Sequence, residues 1–178
     1  MKAVNNRILV KVNMEQKNSM LVGGIMLSTA MKFETNYREK SPVLAVVIEG
    51  DSRLPKGTII CCHHNHFYSP SPYQLENNLF SIPFNKTIFA TVTKNGNLNA
   101  ICGNVLGERV KKNHTFHVEH PDFYVDRLLV KDKGWTSYKE DSIIICRPNA
   151  PYDIVYNWNG VERRVTKVSE DMICGYLK

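Results

Sequence analysis

A chain of 178 residues with 43% hydrophobic content has room for one large domain or two small ones, and it can pack a core without disulfide or metal staples. The formal net charge of +6 is spread along the chain, with no like-charge run beyond pairs such as Lys111-Lys112 and Arg163-Arg164, so it is a weak hint of an acidic or nucleic-acid partner and reads more simply as a solvated surface. No signal peptide and no apolar run near the roughly eighteen residues of a membrane span is visible, and the five cysteines sit mostly inside apolar runs; the expectation is a reduced, soluble, cytoplasmic chain with no membrane partner.

The first predicted element is a strand over Arg7–Val12, which alternates well enough for one. The next is Val43–Ile48, closed by Glu49-Gly50-Asp51. Between them runs a connection over about 13–41, well beyond the roughly 12–15 residues at which structureless loops become uncommon. Its middle, Asn18–Thr29, is apolar at Met20, Leu21, Val22, Ile25, Met26 and Leu27, where a solvated linker is normally polar. The Gly23-Gly24 pair supplies a hinge ahead of Ile25-Met26-Leu27. If that tripeptide is extended, Ile25 and Leu27 share a side. The stretch reads as a mobile arm offering an apolar hook to a partner, or as a buried strand of the domain's own core.

Downstream, Leu54-Pro55-Lys56-Gly57 is a turn signal leading into a buried strand over Thr58–Cys62. A polar stretch from His63 to Asn78 precedes two short strands, Phe80–Phe84 and Thr87–Val92, and Lys94–Asn97 reads as a turn or linker. No segment holds a helical period, and the short strands with glycine and proline punctuation predict an all-β protein. After Asn97 the pattern restarts. Thr58–Asn65 matches Ser142–Asn149, and Leu44–Val46 lines up with Leu128–Val130 at the same spacing; Thr87–Val92 follows Met172–Leu177 at one residue more. Two β modules in tandem, residues 1–94 and 95–178, account for these matches. The second would open with a strand at about Asn104–Val110, followed by a much shorter connection without a Gly-Gly-apolar hook.

These residues resemble the GroES co-chaperonin family. Asn6–Lys11 is similar to its opening strand, Gly23–Ser28 to its chaperonin-binding mobile loop, and Pro42–Val46 to the strand after that loop. Lys56–Ile60 is similar to its glycine turn into a core strand, and Ser169–Leu177 to its acidic turn and closing strand. The resemblance implies two tandem small β-barrels and a homo-oligomeric ring. Its loops would dock through Gly23, Gly24, Ile25, Met26 and Leu27 onto the apical domains of a GroEL-like chaperonin and so assist protein folding. Departures from the family are the short connections Glu49–Pro55 and Lys131–Lys139, where many relatives carry a roof hairpin, and the missing hook in the second module. They fit a specialised relative, such as one encoded by a bacteriophage.

Other chemistry weighs less. Cys61-Cys62-His63-His64-Asn65-His66 is the densest set of metal-type ligands, but adjacent strand residues face opposite ways, so Cys61 and Cys62 do not readily share an ion. His114, His117 and His120 fall in a loop-like stretch stopped by Pro121. There is no nucleotide cradle and no arrangement of nucleophile and base, so no enzyme, cofactor, catalytic residue or metal is expected. Tyr73, Tyr152, Tyr156 and Trp158 could stack bases, but barrel core or subunit contacts explain them more simply. A second function class stays open beside the co-chaperonin: a virion component, capsid or auxiliary, that reuses the fold and staples neighbouring capsid proteins with its arm.

Overall fold

The computed structural model describes residues 6–12, 19–22, 25–28, 39–40, 42–63, 66–67, 72–76, 78–110 and 126–177. Strand β1 (Arg7–Val12) precedes β2 (Ser19–Val22), β3 (Ile25–Ser28) and the two-residue β4 (Glu39–Lys40). Next come β5 (Val43–Glu49), β6 (Ile59–Cys62), β7 (Gln74–Glu76), β8 (Leu79–Pro83), β9 (Ile88–Val92) and β10 (Leu98–Ala100). The remainder is β11 (Asn104–Arg109), β12 (Asp126–Asp132), β13 (Ile143–Cys146), β14 (Tyr152–Trp158), β15 (Val161–Ser169) and β16 (Ile173–Leu177), with a 3-10 turn at Glu170–Met172. No α-helix occurs among the described residues, and the fold is all-β.

Two seven-stranded sheets carry the chain. Their orders are β10-β9-β6-β5-β1-β8-β7 and β16-β13-β12-β11-β15-β14-β4. Set side by side, six strands of each follow the same path, β9-β6-β5-β1-β8-β7 in one and β16-β13-β12-β11-β15-β14 in the other. The irregularities repeat as well. A bulge interrupts β1–β5 between Leu9 and Val10, and its counterpart interrupts β11–β12 between Leu106 and Gly107. A second interrupts β6–β9 between Cys61 and Cys62, matched in β13–β16 between Ile145 and Cys146. Since a bulge bends and twists its strand, its recurrence at matching places gives both sheets the same local bend.

Two expectations need correction. The sheets are open and do not close into barrels: β14 spends its free edge on β4, while β7 and β10, the edges of the first sheet, are only three residues long. The alignment of Leu44–Val46 with Leu128–Val130 also slips by one residue. Ala45 pairs with Ile60 and Leu128 with Ile144, so Ala45 is the counterpart of Leu128. Both are fully buried, as are Val47 and Val130, and a one-residue shift would turn every inward side chain outward.

Alternation builds each core. Ile8, Val10 and Val12 point inward with Lys11 outside, and they meet Ala45, Val47, Ile60, Phe80, Ile82 and Ile88. The second core is smaller, with Val105, Leu128, Val130, Ile144, Cys146 and Val168 and no fully buried aromatic ring. A third cluster lies between the sheets, where Cys61, Phe89, Ala90 and Val92 of the first meet Leu106, Ile154 and Tyr156 of the second. Hairpin β14–β15 extends this seam. Asn159 and Gly160 both have positive φ, 51° and 81°, which a tight two-residue hairpin turn requires and an Asn-Gly pair tolerates.

Asn104, fully buried at the start of β11, ties the seam together. Its Nδ2 donates toward the carbonyls of Ile101 (2.8 Å), Ile88 (3.0 Å) and Lys86 (3.2 Å). Replacing Asn104 by Ala takes this donor from the Ile88 carbonyl in a buried site, at an expected cost of about 1–3 kcal/mol. Urea unfolding should show the midpoint lowered for probes in both sheets together; a loss confined to one sheet would mean the seam does not couple them.

Candidate functional site

The arm leaves β1 at Val12, whose N–H donates to Asn78 O at 3.0 Å. Its apolar stretch pairs with itself as β2 and β3, a two-stranded sheet separate from both large ones. The register couples Val22 with Ile25, Leu21 with Met26, Met20 with Leu27 and Ser19 with Ser28. Residues two apart on a strand belong to one face, so Ile25 and Leu27 share a face with their register partners Val22 and Met20. Gly23 and Gly24 lie outside the described residues.

The returning limb is pinned elsewhere. β4 runs parallel to β14, with Glu39 opposite Asp153 and Lys40 opposite Ile154, before the chain re-enters the first sheet at β5. The segment of β14 that receives it is fixed from beneath. Asp153 accepts a hydrogen bond from Thr166 Oγ1 at 2.8 Å and pairs with Arg109 and Arg164, each at 3.6 Å. Arg109 also reaches Asp126 at 3.8 Å and donates to the Pro151 carbonyl. Thus the arm starts from one sheet and returns by way of the edge of the other.

The seam itself opens into a cleft of about 350 Å3 lined by His63, Thr87, Phe89, Tyr152, Lys167 and Ser169. Lys167 is only 3% exposed. Its ammonium donates to Ser169 Oγ (2.8 Å) and Tyr152 OH (3.1 Å) and lies 4.6 Å from the Phe89 ring centre and 4.9 Å from that of Tyr152. Hydroxyls and π faces replace part of its lost hydration. An ion pair across the rim, Lys86 to Asp171 at 2.6 Å, joins the two sheets and holds the Asp171 carboxyl below the usual carboxylate range.

The buried and half-buried thiols of the two sheets are poor nucleophiles. Cys61 faces the seam and Cys62 the first core, the opposed placement expected of neighbours on a strand. Burial pushes both thiols far up, and the positive charge of Lys167 only partly offsets this at Cys61. Burial likewise raises Cys102 to about 11 and Cys146 to about 12. Cys62 and Cys146 hold equivalent places in β6 and β13, both fully buried.

The other sequence candidates fall as follows. His66 is buried and its Nε2 lies 2.7 Å from Thr87 Oγ1. Thr87 in turn donates to Asn85 Oδ1, so the histidine nitrogen is the donor to Thr87. His64, His114, His117 and His120 lie outside the described residues, among which no group of three or more metal-type side chains gathers. The aromatics serve packing: Tyr156 OH donates to Gly96 O at 2.9 Å, the Trp158 ring covers Gly96, and Tyr152 packs edge-on against Phe89. A side chain at Gly96 would run into that ring, so glycine is required there on space as well as on its positive φ of 79°. Sequence reasoning missed Asn104 and Lys167 as joints. The continuous apolar character of Ile59–Cys62 and Ile88–Ala90, typical of strands covered on both faces, was the available signal.

No model of a known protein family matches the chain, and no curated protein matches it.

Two measurements check the site's chemistry. With a polar thiol reagent, the exposed Cys174 should label first, while Cys61, Cys62 and Cys146 wait for denaturant. Early labelling of Cys62 or Cys146 would contradict their packing. Burial, with a contribution from Arg7, holds His66 below the ordinary histidine value of about 6.5. The unfolded chain therefore takes up this proton first. Stability is full above about pH 6.5, falls as the pH drops through that value, and stops falling below the folded-state pKa. His66→Gln should remove this part of the pH dependence, and parallel stability–pH curves for the two proteins would exonerate the residue.

Proposed function

We propose that this chain is a non-enzymatic co-chaperonin-like protein built from two tandem GroES-like β units. Its arm docks Ile25, Met26 and Leu27, hinged at Gly23-Gly24, onto the apical domains of a chaperonin ring in the cytoplasm and so assists protein folding. The observation that carries this reading is the β2–β3 ribbon. Among the described residues, an apolar stretch in the connection between β1 and β5 pairs only with itself and joins neither large sheet. A lone two-stranded ribbon is marginal in water, so an apolar groove on a partner is a natural source of the missing burial. Single arms bind weakly on this account, and a ring of copies supplies the remainder through avidity.

Changing both Ile25 and Leu27 to Ser tests the hook. Each anchor is worth about 1.5–3 kcal/mol if fully buried in a groove, so chaperonin binding should vanish while the melting temperature of the free protein stays put. A drop of several degrees without any partner would assign the tripeptide to the protein's own core. Hydrogen exchange over residues 18–40 provides the second arm of the test: fast in the free protein, slow once chaperonin and nucleotide are added. Exchange untouched by saturating chaperonin would favour the virion reading, in which only capsid or self-assembly protects the arm.

A further inference from the structure

The cleft between the sheets carries a charge that the fold itself does not call for. β15 is the counterpart of β8: Lys167 pairs with Leu106 across β11–β15 as Ser81 pairs with Leu9 across β1–β8, and a bulge follows each of these leucines. The strands on the other side agree, since Tyr152 lies opposite Lys167 and the Tyr73 carbonyl accepts from Ser81 N–H at 2.7 Å. A serine therefore serves at this position in the first unit, where its Oγ accepts from Arg7 Nε at 2.9 Å. Strand pairing alone does not require a lysine there.

What surrounds the lysine is the cleft. Lys167 is 3% exposed, yet the Ser169 and Tyr152 hydroxyls that accept from its ammonium, and the Phe89 and Tyr152 rings it lies over, all belong to residues that line the cleft. The ammonium is thus part of the cleft wall. Apolar surface comes from Phe89, Ala150, Tyr152 and Met172, and the His63 ring stands edge-on to Phe89 with centres 6.0 Å apart. At the rim, Lys86 and Asp171 pair with each other. At about 350 Å3 the cleft sits at the small end of the roughly 300–1,000 Å3 of small-molecule sites, which are mostly apolar, carry a few placed polar groups and favour domain interfaces.

We propose that this cleft binds a small organic carboxylate, a single ring or a short branched chain with one acid group. The carboxylate would pair with Lys167 Nζ in a setting of low polarity, where opposite charges attract more strongly than in water. The apolar body would lie against Phe89 and Met172, with Met172, 37% exposed, forming the outer wall. A bare inorganic anion would leave that apolar surface uncovered, so the acid group needs a body. Phe89 belongs to the first sheet and Lys167 to the second, so an occupant touches both and stabilises the seam. This inference goes beyond the chaperonin reading and holds or fails independently of it.

Benzoate and 3-methylbutanoate are the probes, with benzamide and benzylamine as the uncharged and cationic counterparts of benzoate. Each is titrated into the full-length protein and followed by its amide resonances. At least one carboxylate should bind saturably with a Kd of about 1 mM or tighter, shift the amides of Phe89, Ala150, Tyr152 and Ser169 most, and raise the melting temperature. Lys167→Met keeps the length of the side chain and removes its charge, so it should weaken the carboxylate at least about tenfold. Met172→Glu, on the exposed rim, tests the same point without touching the buried lysine: the added negative charge should weaken the carboxylate several-fold. Benzamide or benzylamine binding as tightly as benzoate would overturn the inference. So would undiminished binding to either folded variant, shifts centred away from the cleft, or no saturation by either carboxylate up to about 10 mM.

Discussion

The amide of Asn104 sits where the two sheets are sewn together, and much of the molecule depends on it. β10 finishes in the first sheet and β11 begins in the second, with only Ile101, Cys102 and Gly103 between them. Cys102 and Gly103 both take positive φ, 55° and 71°, and this sharp left-handed reversal brings the Ile101 carbonyl beside those of Lys86 and Ile88 at the start of β9. Backbone oxygens there need a donor. A side-chain amide reaches them, and its own Oδ1 accepts from Ser169 Oγ at 3.4 Å, so the reversal is tied to the end of β15 as well.

Around that point polar contacts set register and apolar contacts supply most of the free energy. Asp132 takes the Ala100 N–H at 2.6 Å with one oxygen and the Gly134 N–H at 2.8 Å with the other. Tyr156 and Arg163 hold the β9–β10 turn through Gly96 O and Asn97 Oδ1. Each bond is worth little net, yet leaving any one unmade in the seam is expensive. The result is a joint that tolerates one relative placement of the sheets. Burial of Phe89, Leu106 and Ile154 then rewards that placement.

Much of this architecture was legible in the residues. Alternation in Arg7–Val12 and Val43–Ile48 marked central strands, and the repeated Ile-Ile-x-Cys pattern marked β6 and β13 as equivalents. What failed did so for physical reasons. The long hairpin β14–β15 was passed over because Val161–Ser169 carries Glu162, Arg163, Arg164 and Lys167 and so reads as solvated; the Asn159-Gly160 turn was the stronger sign. Closure was expected from the resemblance to the GroES family, but pairing of β14 with β4 depends on a return path through a distant segment, which local pattern does not encode. Lys167 was invisible as a seam residue, since nothing in a charged run says which member will be covered by Phe89 and Tyr152 from two different strands. The tripeptide Ile25-Met26-Leu27 was legible as an apolar anomaly, and the ribbon gives it a backbone pairing without naming its partner.

The placement of the arm's roots gives the seam a consequence beyond stability. One limb emerges from the centre of the first sheet beside β5 and β8, and the other is clipped to the edge of the second through β14. Both anchor points therefore depend on the placement of the sheets that the seam fixes. Ordering a free coil costs about 1–2 kcal/mol per residue, and a ribbon whose eight strand residues already pair needs less of that at the moment of binding. In the proposed co-chaperonin reading, weak single contacts can then suffice where several arms engage at once, because avidity supplies the remainder.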